Sequence, residues 1–306
     1  MEAENLSSTT DILIVGFSDL PHLQAPLFSV FLVLYLLTLS GNLLIVATVS
    51  CNSQLHTPMY FFVAMLSLID ITYTSVVLPA MLAHFFLNDS RVSLTKCLLQ
   101  MNSFLAMAAS EVVLLTVMAY DRYVAICNPL HYPYIMNLAA CIRLAAVSWL
   151  AGFMVALPFT VAVSGFSYCG SHTINHFFCD VTALMKITCT STHMIEIFIY
   201  TFGPSLTLGS FILIIISYVN IISSILKIKA KGRRWKAFST CASHLAVVVV
   251  FYASIFATYI RPKSAMGDNK ISSLTYIIIS PLCNPIIYSL KNRDFKNALR
   301  KKNNKS

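Results

Sequence analysis

Five stretches of this 306-residue chain contain no Asp, Glu, Lys or Arg: residues 25–49, 144–179, 197–226, 237–260 and 271–290. Two more, 57–83 and 97–120, hold one interior acid each, Asp70 and Glu111. Each covers or approaches the roughly 20 residues that cross a bilayer as a helix. Backbone polar groups find no water in hydrocarbon, so segments of this length must close their hydrogen bonds internally. A chain that is 57% hydrophobic and 11% charged lies far from the profile of a soluble globular domain. The predicted architecture is an all-α membrane protein, a seven-transmembrane helix bundle with a short amphipathic helix after span seven.

The net charge of +9 does not signal nucleic acid, because of where the charges fall. With the N-terminus outside, 15 of the 21 Lys and Arg lie on the cytoplasmic side: Arg122, Arg143, six between Lys227 and Lys236, and seven from Lys291 onward. That asymmetry predicts N-out, C-in. The expected layout is one domain over 1–306, with an extracellular tail over 1–24, the bundle over 25–290 and a cytoplasmic tail over 291–306. The start Met1-Glu-Ala-Glu-Asn5 lacks the basic residues of a cleavable signal, so the first span is expected to direct insertion.

Nine cysteines divide by side. Cys97, Cys169, Cys179 and Cys189 fall in the oxidising compartment, whereas Cys51, Cys127, Cys141, Cys241 and Cys283 are cytoplasmic or within the membrane. Four outer cysteines allow three pairings, and their spacing does not choose among them. Asn5-Leu-Ser7 and Asn88-Asp-Ser90 are outer-face glycosylation triplets, and Asn5, on a free tail, is the better acceptor. The longest connection is the outer one between spans four and five. Pro58, Pro79, Pro158, Pro204, Pro281 and Pro285 lie in or at the ends of spans, where they open room between helices.

Inside the membrane, Asp70, Glu111, Ser280 and Asn284 form a polar set on spans two, three and seven. Intramembrane acids are costly and face the bundle interior, where they bind ions, exchange protons or hydrogen-bond across helices. Asp70 and Glu111 therefore suit an interior cation site or a protonatable cluster, with a static polar network as the structural alternative. Glu111 precedes Arg122 by 11 residues, about 16 Å along a helix, and so lies near mid-membrane on nearly the same face. Asp121-Arg122 itself ends span three, where an ion pair reaches the cytoplasmic interface. The chain has no Gly-rich phosphate loop, and its intramembrane acids face no evident substrate group, so no enzyme is expected.

Several segments resemble the olfactory (odorant) receptors of the rhodopsin-like, class A G-protein-coupled receptor family. They are Gly41-Asn42, Leu55-His-Thr-Pro-Met-Tyr-Phe-Phe62, Leu66-Ser-Leu-Ile-Asp70 and Met118-Ala-Tyr-Asp-Arg-Tyr-Val-Ala-Ile-Cys127. Ser217-Tyr218, Lys236-Ala-Phe-Ser-Thr-Cys-Ala-Ser-His-Leu245 and Pro281-Leu-Cys-Asn-Pro-Ile-Ile-Tyr288 continue the series in the family's order. The resemblance implies an odorant-activated receptor of the plasma membrane, in the cilia of olfactory neurons. It would bind a small volatile and activate a stimulatory G protein to raise cyclic AMP.

The same resemblance implies roles, among them a sodium ion held by Asp70, Glu111 and Asn284 in the inactive state. Asp121, Arg122, Tyr123, Tyr218, Asn284, Pro285 and Tyr288 would form the activation switch, with Arg122 leaving Asp121 to meet Tyr218 and the G-protein α subunit as Tyr288 moves inward. Cys97 would pair with Cys179, and Cys169 with Cys189, which leaves no role for Cys179 in a metal site with His172 and His176. The basic run from Lys227 to Lys236 would face G protein or anionic lipid. By analogy the odorant site lies in the outer half of the bundle, lined by Phe104, Leu105, Ala108, Ala109, Phe202, Leu206, Tyr252, Ile255 and Tyr259. That mostly apolar set with a few hydroxyls suits a small neutral molecule. Departures from the wider class include the lack of proline in 237–260, where Phe251-Tyr252 replaces a Trp-Pro pair, and Phe104 where amine receptors carry an acid. No cysteine follows Tyr288, so tail palmitoylation is not expected. Two other readings remain at this point: a receptor of the same architecture for a non-odorant ligand, and a cation channel or transporter using Asp70 and Glu111. Neither a parallel nor an inverted repeat supports the latter.

Overall fold

A computed structural model describes residues 11–16, 21–85, 91–169, 172–259, 270–291 and 295–298. Seven long helices form the bundle: α1 (Gln24–Cys51), α2 (Pro58–Ala83), α3 (Leu94–Cys127), α5 (Leu138–Ser164), α7 (His193–Leu226), α8 (Lys231–Tyr259) and α9 (Lys270–Lys291). They are called spans one to seven below. Two short helices separate them, α4 (Tyr132–Ile135) after span three and α6 (Val181–Met185) in the outer loop. Among the described residues, six helices are long and apolar enough to cross a membrane, and the seventh contributes the shorter apolar stretch Tyr276–Tyr288. The chain is a multi-pass membrane protein.

Helix boundaries depart from the uncharged runs for local reasons. Span four starts at Leu138, ahead of Arg143, because Asn137 caps it by accepting from the Ala140 N–H at 2.9 Å. It stops at Ser164, well short of Cys179, where Gly165 closes the last turn. Span six begins at Lys231 inside the basic run, since charges at the interface do not oppose helix. After span seven, residues 295–298 are helical, and Phe295 and Ala298, one turn apart, are both buried.

Close contacts explain two glycines. A Cβ on Gly152 of span four would collide with the Ser110 Oγ and the Ala106 carbonyl, so this glycine seats span four directly on span three. A Cβ on Gly41 would lie 3.0 Å from the Pro285 Cβ, so spans one and seven approach closely here. Next to it, Asn42 repairs what Pro285 breaks. Pro285 has no N–H for the carbonyl four residues back, that of Pro281, and the Asn42 amide donates to that carbonyl at 3.0 Å.

The outer end carries a sheet that the hydropathy pattern did not suggest. Strand β1 (Asp11–Ile14) lies between β2 (Arg91–Ser93), antiparallel with Ile12 opposite Val92, and β3 (Thr173–Ile174), parallel with Ile14 beside Ile174. Part of the expected free tail is thus the central strand of three. Ile12 and Ile14 are buried against Cys97, Met101, Val163, Cys179, Val181 and Leu184, a small second core above the main one. His172, at φ +46°, turns the loop so that its carbonyl accepts from the Leu13 N–H at 2.8 Å. Asn5 and Asn88 lie outside the described residues.

Candidate functional site

At the cytoplasmic end of span three, Asp121 and Arg122 are both buried and form an ion pair with each other. The Tyr132 hydroxyl of α4 donates to the other Asp121 oxygen at 2.9 Å. Burial, and then the adjacent Asp121 charge, push the Tyr132 hydroxyl well above its ordinary pKa, so it stays a donor. A buried charge pair persists only when its remaining lone pairs are satisfied. Tyr132 supplies that bond from outside the span.

Tyr218 of span five has its hydroxyl already engaged. It lies 2.7 Å from the His244 Nδ1 and donates toward the Cys241 carbonyl at 3.3 Å, both on span six, and its ring stacks on the His244 ring. Among the described residues its partner in this structure is therefore span six, and not Arg122. Tyr288 of span seven is buried, and its hydroxyl has no hydrogen-bond partner among the described residues. Tyr123 is half-buried and stacks on Tyr120. Neither His244 nor Tyr132 enters the sequence-derived set. His244 escapes because a count of Asp, Glu, Lys and Arg passes over histidine, although an ionisable side chain within an uncharged run is itself a signal.

Deeper in the bundle, the Asn284 amide donates to the Asp70 carboxylate at 2.9 Å, and the Ser280 hydroxyl donates to the Glu111 carboxylate at 3.1 Å. All four residues are buried. Spans two and seven are joined by the first bond, spans three and seven by the second. Four oxygens here lack a partner among the described residues: Asp70 Oδ1, Asn284 Oδ1, Asn42 Oδ1 and Thr38 Oγ1. Buried acceptors are seldom left unmet. Two carboxylates with amide and hydroxyl oxygens make a hard, all-oxygen donor set of the kind that suits an alkali or alkaline-earth cation and its water.

In the outer half, the span-three residues Phe104, Leu105 and Ala108 are half-buried and Ala109 is buried. Phe104 stacks on Tyr73 of span two at 5.0 Å and meets Phe178 of the outer loop at 4.8 Å, while Tyr276 of span seven closes on Tyr73 at 5.5 Å. These rings fill the side toward spans two and seven. Gln100 holds the loop in place, donating to the Val76 carbonyl of span two and accepting from the Cys179 N–H, each at 3.0 Å. From span five, Leu206 is half-buried against the core, but Phe202 is 38% exposed and stacks on Phe198, which meets Phe159 of span four. Phe202 therefore sits on the bundle's outer face toward span four. From span six, Tyr252 is buried, Ile255 is half-buried, and the side chain of Tyr259 lies outside what is described.

Of the three cysteine pairings left open, the structure has Cys97 bonded to Cys179 and Cys169 to Cys189, with Cα atoms 5.3 and 5.8 Å apart. The first ties span three to the loop bearing Phe178. His176 beside it contacts the Phe178 carbonyl through Nδ1.

The geometry therefore joins a buried ion pair at the cytoplasmic end to an aromatic cluster at the outer end through a polar middle. Comparison with known proteins gives this arrangement its family. The sequence model described as "Olfactory receptor" matches residues 31–304. Olfactory receptor 8J1 of Homo sapiens is 42% identical, over 98% of this chain and 96% of its own length. Olfactory receptor 1G1 of Gorilla gorilla gorilla is 44% identical over 98% and 97%, and olfactory receptor 2D2 of Homo sapiens 44% over 98% and 98%. Together the bundle, the motifs and these full-length matches show that the chain belongs to the olfactory receptor family, odorant-sensing G-protein-coupled receptors and not enzymes.

Proposed function

We propose that this receptor binds a small, neutral, mostly apolar volatile in the outer half of its bundle and activates a stimulatory, olfactory-type G protein, raising cyclic AMP. The observation that carries the output half is the buried Asp121–Arg122 pair beside Tyr218 and Tyr288. Releasing Arg122 from Asp121 gives a G-protein helix a cation and an open crevice, and the tyrosine hydroxyls can replace the lost partner. The input half rests on Phe104, Leu105, Ala108, Ala109, Leu206, Tyr252 and Ile255. Burial of apolar ligand surface supplies most of the affinity there.

A sodium ion held by Asp70 and Glu111, with Asn284, is proposed as an allosteric stabiliser of the resting bundle. The unpartnered oxygens around these acids support that reading. The site of action is proposed to be the ciliary plasma membrane of olfactory sensory neurons. Co-expression with a stimulatory G protein and a screen of volatiles tests the whole reading. At least one volatile should raise cyclic AMP, and Arg122→Ala should abolish the response at equal surface density. A response that survives Arg122→Ala contradicts the proposed output mechanism.

A further inference from the structure

Span six is tied to span five by two side-chain bonds at different depths. Toward the outside, the Tyr252 hydroxyl meets the Ser210 Oγ at 2.8 Å, and toward the cytosol Tyr218 meets His244. Ser210 and Tyr218 are eight residues apart, as are His244 and Tyr252, so these are two rungs between antiparallel helices, about 12 Å apart along the axis. The outer rung extends into span three. The Ser210 and Thr116 hydroxyls each lie 3.1 Å from the Val112 carbonyl and touch each other, so one of them donates to that carbonyl and the other to its neighbour. Span six has no proline between Ala237 and Tyr259 to set a hinge, so side-chain bonds of this kind hold its position.

The protons can be counted. Thr116 and Ser210 have one each, and these two serve the Val112 carbonyl and the contact between the two hydroxyls. The Tyr252 hydroxyl must then be the donor in its bond to Ser210. The candidate chamber residues lie one turn outward on each helix: Ala108 above Val112, Leu206 above Ser210, Ile255 near Tyr252. Tyr252 itself is packed among Phe211, Phe251 and Phe256.

We propose that Thr116, Ser210 and Tyr252 form a hydroxyl latch across spans three, five and six, opened by a small apolar ligand that carries a hydrogen-bond acceptor without a donor: an aldehyde, ketone or ester. This rests on the odorant-binding reading above and adds the ligand's chemical class. An alcohol can donate to the free lone pairs of the Tyr252 oxygen and leave its bond to Ser210 intact. A carbonyl can only accept, and Tyr252 has a single proton to give, so engaging a carbonyl takes that proton from Ser210. The tie between spans five and six is lost at that depth.

The test uses the full-length receptor in lipid nanodiscs, with labels on unnatural amino acids at the exposed positions Leu130 and Lys231 reporting the cytoplasmic separation of spans three and six. Ser210→Ala and Tyr252→Phe should each shift the ligand-free distribution toward wider separation by about fivefold, the effect of one net neutral hydrogen bond on a two-state ratio. Thr116→Val should shift it less, and Tyr200→Phe, on the outer face, should leave it unchanged. Unchanged distributions in both Ser210→Ala and Tyr252→Phe overturn the latch. Matched hydrocarbons, alcohols, aldehydes and ketones then serve as ligands. The carbonyl members should widen the wild-type separation and lose that advantage in Tyr252→Phe. Alcohols equal to or better than their carbonyl counterparts, or silence from every carbonyl compound, overturn the ligand class. Because the label readout needs no G protein, label movement without cyclic AMP retains the latch and sinks the coupling reading instead.

Discussion

At the outer end of this bundle the backbone and covalent bonds do the holding, whereas at the cytoplasmic end single side-chain contacts do. Outside, two disulfides, a three-stranded sheet and the Gln100 clamp fix the loop that carries Phe178 over Phe104. Inside, Asp121 holds Arg122, Tyr132 holds Asp121, and His244 holds Tyr218, each by one or two hydrogen bonds. An end that recognises a ligand gains from preorganisation, since ordering costs are met during folding and not on binding. An end that switches needs alternatives separated by only a few kcal/mol. The difference in bond type matches that division.

Breaking the outer clamp should give the largest effects. Cys97→Ser with Cys179→Ser is expected to cost about 2–5 kcal/mol of stability, the usual cost of removing a native disulfide. Thermal unfolding of purified receptor and surface density in cells both read it, and a melting temperature within error of wild type contradicts the comparison. Ile12→Ala should cost about 2 kcal/mol, the low end for truncating a buried isoleucine, because a short strand can partly collapse onto the gap. Insensitivity of unfolding to this change would mean that β1 caps nothing.

At the cytoplasmic end the same kind of deletion should move activity more than stability. Tyr132→Phe removes one hydrogen bond to a buried carboxylate, about 1.5 kcal/mol, and should raise basal signalling roughly tenfold with little change in melting temperature. Lower basal output at equal surface density would show that Tyr132 supports the active state and not the resting one. Phe202→Ala, on the outer face toward span four, is expected to be the smallest effect, within about 0.5 kcal/mol for stability. A clear shift in odorant potency from that variant would return Phe202 to the chamber.

Parts of both ends were legible from the residues alone. The apolar runs located all seven helices, and the Lys and Arg distribution oriented them. Gly41-Asn42 and Pro281 to Tyr288 were visible as motifs, but their connection was not. That Asn42 takes up the carbonyl Pro285 leaves free joins residues 239 positions apart. Strand β1 shows the same limit. Ile12 and Ile14 alternate as a half-buried strand should, yet four residues give no usable period, and their partners lie at Arg91–Ser93 and Thr173–Ile174. The 36-residue uncharged run from 144 to 179 likewise could not say where span four ends, because loop and helix there are equally free of charge.

By itself, the sequence determined that the chain is a seven-span membrane protein, which way it faces, and which family its motifs belong to. The first two follow from transfer energies and charges that add residue by residue, so they survive without knowledge of packing, and the third rests on the resemblance of its motifs. The tertiary structure decided which cysteines pair, that Tyr218 engages His244 rather than Arg122, that Phe202 faces outward, and that Tyr252, Ser210 and Thr116 share one junction. Hydrogen bonds act only within about 3 Å and in narrow directions. Which polar side chains meet therefore depends on the rotation and approach of each helix, and only packing sets these.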